Sequence, residues 1–90
     1  MIESTACIQN DQGIHCRPTA LIVKYCSKAV PKIKLVVDEE AIDSASFLAV
    51  MSLGLMKGDE VAFCVDGENE EQIAKEFKEL LETEFDFPQN

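Results

Sequence analysis

The sequence predicts an α+β fold: a four-stranded antiparallel sheet with three helices on one face, in the chain order βαββαβα. Three observations carry this. Apolar residues alternate with polar ones in short segments, as expected of strands with only one buried face. Two longer segments repeat their apolar residues at helical spacing. A third apolar stretch, residues 47–53, sits between a serine and a glycine and fits one short helix. Strands apolar on one side only must be covered there, so the helices share one face and leave the other open to solvent.

Taken in order, residues 2–9 place Ile2, Ser4, Ala6 and Ile8 on one side and Glu3, Thr5, Cys7 and Gln9 on the other, and Asn10-Asp11-Gln12-Gly13 reads as a turn. From Pro18 onward Ile22, Tyr25, Cys26 and Ala29 form a helical stripe that Pro31 brings to an end. Residues 32–37 alternate with Ile33, Leu35 and Val37 inward. An acidic turn at Asp38-Glu39 leads to a short strand over residues 40–43. Ser46 is placed as the N-cap of the short helix and Gly54 as its stop. Residues 59–65 return to period two, with Val61, Phe63 and Val65 inward and Ala62 and Cys64 outside. The last helix starts at Asn69 with Gln72 three residues on, a variant capping box, and buries Ile73, Ala74, Phe77, Leu80 and Leu81.

Ninety residues suffice for a single domain over 1–90. No apolar run reaches the ~18 residues of a membrane span, and the first residues lack the basic and apolar regions of a secretory signal. The expectation is a soluble cytoplasmic protein with reduced cysteines. Cys7, Cys16, Cys26 and Cys64 lack the paired spacing of a zinc site, so no metal or other cofactor is expected. A net charge of −9 argues against nucleic acid as a partner. The charge is uneven. Residues 1–37 carry Arg17, Lys24, Lys28, Lys32 and Lys34 against Glu3 and Asp11, while the remainder is acidic apart from Lys57, Lys75 and Lys78. A basic region suits a site that receives an anion, although an acidic surface elsewhere serves solubility equally well.

The chemistry centres on Gly13-Ile14-His15-Cys16-Arg17-Pro18, which contains the only histidine. Glycine permits a positive φ just before it, and Pro18 suits the first turn of a helix. An imidazole at a helix N-terminus stands beside unpaired N–H groups and a partial positive charge, a favourable setting for phosphate, and Arg17 adds a fork of donors. A lone histidine could also be a plain surface turn residue.

This run, together with Ser46-Phe47-Leu48-Ala49-Val50-Met51-Ser52-Leu53-Gly54 and Lys57-Gly58, resembles the histidine-containing phosphocarrier (HPr) family of the bacterial phosphotransferase system, over essentially the whole chain. The resemblance implies the same open-faced sandwich and a phosphoryl carrier rather than an independent enzyme. It implies that His15 Nδ1 accepts a phosphoryl group from enzyme I and passes it to IIA domains, with Arg17 stabilising the charge. It also makes Ser46 a target of HPr kinase/phosphorylase and implies a catabolite-control transcription regulator as a further partner. Lys24 and the apolar Phe47, Leu48 and Met51 are candidate docking residues on a monomer, with core packing as the other reading for the apolar three. Cys16 stands where alanine is usual, Ala49 where glycine is common and Ser27 where lysine is frequent. A mainly regulatory module that uses Ser46 in a host without full sugar transport is the alternative. A nitrogen-linked phosphotransfer branch fits the serine motif poorly. An independent enzyme finds no nucleotide loop and no paired acid and base.

Overall fold

The computed structural model describes residues 1–11, 13–14, 16–29 and 31–84. Its elements run β1 (Ile2–Cys7), α1 (Cys16–Lys28), β2 (Lys32–Val37), β3 (Glu40–Asp43), α2 (Phe47–Ser52), β4 (Glu60–Asp66) and α3 (Glu70–Leu81). The strands form one antiparallel sheet in the order β1-β4-β2-β3, and the predicted α+β order is observed. The covered face is set by register: Ser4, Phe63, Leu35 and Ile42 lie opposite one another across all four strands. Phe63, Leu35, Ile8, Ile22, Phe77 and Leu81 are fully buried. Phe63 meets Phe77 edge-on, with ring centroids 5.1 Å apart, which fixes α3 on the sheet.

The opposite face is uncovered, and Ala62 and Cys64 lie on it as the alternation expects, half-buried rather than fully exposed. They belong to the inner strand β4, where Thr5 and Val36 flank Ala62 and Glu3 and Lys34 flank Cys64. Neighbouring strands shield the middle of an open face.

Several boundaries move for local reasons. Helix α1 begins at Cys16, two residues before Pro18, because the first-turn N–H groups have no intrahelical partner and proline is tolerated there. It ends at Lys28, and Ala29 still donates its N–H to the Tyr25 carbonyl at 3.1 Å. Strand β1 stops at Cys7. The Ile8 N–H still reaches the Asp59 carbonyl at 2.9 Å before the chain turns. Strand β4 starts at Glu60 because the Asp59 carboxylate accepts from the Met56 N–H at 2.8 Å and holds residue 59 in a turn. Asp38 and Glu39 both have positive φ, 52° and 68°, as a two-residue hairpin turn requires.

The capping box at α3 does not form. Asn69 is left-handed, with φ 60° and no side-chain cap bond, and Gln72 donates to Glu76 at 2.8 Å instead. Glu70 ties the first residue of the helix to the turn before it and to the chain's amino end. It accepts from the Gly67 N–H at 3.2 Å and from the terminal amine at 3.0 Å.

The four cysteines are free. Burial pushes the Cys26 thiol up to about 12; the neighbouring Ser44 hydroxyl opposes that shift and the Asp43 charge adds to it. Among the described residues no helix is long and apolar enough to cross a membrane.

Candidate functional site

His15 lies outside the described residues, as do Gln12 of the predicted turn, Val30 and residues 85–90. The frame on either side of His15 is defined. The Gly13 N–H donates to the Asn10 carbonyl at 2.8 Å, closing a turn as expected, and the buried Asn10 amide donates back to the Gly13 carbonyl at 2.7 Å. Gly13 has φ +70°, and a Cβ there would stand 2.4 Å from the Leu55 carbonyl oxygen and 2.9 Å from Met56 Cα. Only glycine fits.

The loop is clasped to residues 55–59. The Ile14 N–H donates to the Leu55 carbonyl at 2.8 Å and Gly58 donates to the Ile8 carbonyl at 2.8 Å. Lys57 meets Asp11 at 2.7 Å, a contact that lowers the Asp11 carboxyl and raises the Lys57 amine through their mutual hydrogen bond and charge. Ile14 and Leu55 are buried and anchor the two loops in the core.

On the helical side, Cys16 and Arg17 are exposed at the first turn of α1, Pro18 is buried, and Lys24 is exposed two turns on. Helix α2 packs against α1. The fully buried Thr19 hydroxyl lies 3.2 Å from Met51 Sδ and 3.5 Å from the Ile14 carbonyl, so it stands between α2 and the loop. Met51 is half-buried by this contact, whereas Phe47 is 43% and Leu48 79% exposed.

Ser46 is the N-cap of α2 in extended backbone (φ −97°, ψ 111°), its Oγ accepting from the Ala49 N–H at 3.3 Å. Upstream, Asp43 accepts from the Ala45 N–H through its carboxylate at 2.9 Å and from the Ser46 N–H through its carbonyl at 3.1 Å, which aims the chain into the helix. Gly54, φ +60°, follows the C-cap Leu53 and gives its N–H to the Met51 carbonyl, the stop the sequence indicated.

Sequence reasoning missed Asn10, Leu55, Asp59 and Thr19. Residues 55–59 approach the loop from more than forty positions away. Asn10 and Asp11 could be read only as turn formers. Among the described residues no three His, Cys, Asp or Glu side chains gather as a metal site.

Fold and loop together define a small open-faced sandwich that offers a glycine-hinged histidine segment at the start of a helix, with a serine-capped helix beside it. The family profile described as PTS HPr component phosphorylation site matches residues 2–83. The phosphocarrier protein HPr of Treponema pallidum is 31% identical over 86 residues, covering 96% of this chain and 98% of that protein. A crystal structure of HPr from Thermoanaerobacter tengcongensis superposes with a TM-score of 0.81 at 34% identity, covering 90% of this chain and 91% of the other. Another structure from that organism, an HPr dimer, gives a TM-score of 0.65 at 35% identity, covering 89% and 92%. The chain belongs to the HPr phosphocarrier family. Proteins of this family are carriers rather than enzymes.

Proposed function

We propose that this chain is a cytoplasmic, single-domain phosphocarrier of the phosphoenolpyruvate-dependent sugar phosphotransferase system. His15 attacks with Nδ1: its bond to phosphorus forms as the bond that holds the phosphoryl group on enzyme I breaks, and the same exchange with a IIA domain passes the group on. The observation that carries the reading is the loop geometry within this family. Gly13 and Ile14 are held against Leu55 immediately before His15, and α1 starts immediately after it. The N-terminus of a 13-residue helix supports phosphate on that side. Arg17 adds charged donors, so Arg17→Ala should slow transfer by about 10–100-fold without abolishing it.

Phe47, Leu48, Met51 and Lys24 are the proposed docking residues for enzyme I and the IIA domains. Two of them support the reading by their exposure, since Phe47 and Leu48 extend apolar side chains from a six-residue helix. Ser46 is the proposed substrate of HPr kinase/phosphorylase, and its phosphorylated form the proposed ligand of a catabolite-control transcription regulator. The working form proposed is a monomer.

The test is a reconstituted relay from phosphoenolpyruvate through enzyme I and this protein to a IIA domain. Phosphoryl arrival on IIA should need this protein, and His15→Ala should stop it while leaving the circular dichroism spectrum unchanged. Arrival at the same rate with His15→Ala would refute the carrier role.

A further inference from the structure

The helical layer is not closed between α1 and α3. A groove of about 440 Å³ runs there, walled almost wholly by apolar surface: Leu21, Tyr25 and Ala29 on one side, Ile73 and Leu80 on the other. Tyr25 bridges the two helices. Its ring stacks on Phe77 at 6.2 Å and its hydroxyl donates to the Glu76 carboxylate at 2.9 Å.

Two lysines flank this groove. The chain has 17 acidic residues and 8 basic ones. Lys57 and Lys78 meet Asp11 and Glu82. Lys24 and Lys28, like Lys32, Lys34 and Lys75, make no ion pair or side-chain hydrogen bond among the described residues, and these two line the apolar groove one helical turn apart. Glu76, on α3, is already engaged by Tyr25 and Gln72. The α1 wall is therefore a basic edge on an acidic protein.

We propose that this groove receives an amphipathic helix of a partner protein, apolar on the face that enters and carrying glutamate or aspartate along the edge that meets Lys24 and Lys28. The inference does not rest on phosphoryl transfer. Geometry selects the helix over other shapes. Leu21, Tyr25 and Ala29 repeat every four residues over about 12 Å and make a ridge of the kind a third helix packs beside. An extended segment would find only helices on both sides, whose backbone groups are already paired, and would leave its own N–H and C=O groups unsatisfied. A groove open along its length would leave a small amphiphile largely in water, unlike a ligand pocket. The basic edge fixes the charge of the guest and the direction in which it lies.

The test titrates the labelled full-length protein with three probes, read by amide chemical shifts. The first is an amphipathic peptide of about 14 residues with leucines at every fourth position and glutamates on one flank. The second is the same peptide with lysines for glutamates, and the third is octanoate. The glutamate peptide should shift amides of residues 21–29 and 73–80 and bind about tenfold more tightly than its lysine counterpart, a gap that closes at about 1 M salt. Lys28→Glu and Ile73→Gln, each with unchanged circular dichroism, should weaken it about tenfold. Equal affinity of the two peptides, no binding of either, or shifts confined to α2 would overturn the proposal. So would saturation of the groove by octanoate with no peptide binding, or contacts in the free protein between Phe85 or Phe87 and Leu21 or Ile73, which would show the chain's own last residues to be the occupant.

Discussion

Replacing Gly13 with alanine should damage the loop by an amount the geometry fixes. The new Cβ meets backbone on two sides, Leu55 O at 2.4 Å and Met56 Cα at 2.9 Å, so neither neighbour can yield by rotating a side chain. At φ +70° an L-residue costs about 1–2 kcal/mol. Pushing residue 55 away weakens the Ile14 N–H to Leu55 bond, worth about 1 kcal/mol. A stiffer unfolded chain returns about 0.5 kcal/mol. The net loss is about 2 kcal/mol, which lowers the urea midpoint by roughly 1–2 M for a domain of this size. Gly54→Ala is the control. It has φ +60° but nothing within 4 Å of a Cβ, so it should lose only the conformational part, about 1 kcal/mol. Equal losses at the two positions, or an Ile14 amide as protected from hydrogen exchange in Gly13→Ala as in the wild type, would refute the clasp.

Four further outcomes follow from single residues. The fully buried Ser44 Oγ has only the weakly bonding Cys26 thiol beside it, so Ser44→Ala should change stability in urea by less than about 1 kcal/mol; a larger loss would show that the hydroxyl is well bonded. Iodoacetamide should modify exposed Cys16 more than about tenfold faster than buried Cys26, with the difference vanishing in denaturant. Because the Cys26 thiol is raised from 9.0 to about 12 by folding, its contribution is complete below pH 9 and is lost as pH rises toward 12, so Cys26→Ala should flatten that alkaline decline. At Ser46, alanine should cost about 1 kcal/mol of stability and leave transfer from enzyme I intact, whereas aspartate should keep the cap and slow transfer, most at low salt. Equal transfer by both variants would leave Ser46 a cap only.

What the sequence makes legible is local. Period two in residues 32–37 and 59–65 marks one buried face, and Ser46 and Gly54 bracket α2, because a cap and a stop depend on the nearest three or four residues. The clasp around the histidine segment is not local. Leu55, Lys57 and Gly58 reach Ile14, Asp11 and Ile8 through backbone and one ion pair, and nothing in their own spacing announces it. Asn69 shows the converse failure. Its sequence context spells a cap, but it takes the left-handed backbone that joins β4 to α3 and makes no side-chain cap bond. Alternation puts Ala62 and Cys64 on the face away from the core correctly, while their partial burial comes from strand order, which alternation does not encode.

The most direct test is to locate the phosphate. The protein, incubated with phosphoenolpyruvate and enzyme I of the same organism, is examined by phosphorus and nitrogen magnetic resonance and by mapping of its acid-labile phosphopeptide. One phosphoryl group on Nδ1 of His15, absent from His15→Ala, is the predicted result. Stoichiometric phosphate on any other residue, or none while the same enzyme I charges another HPr, would contradict it.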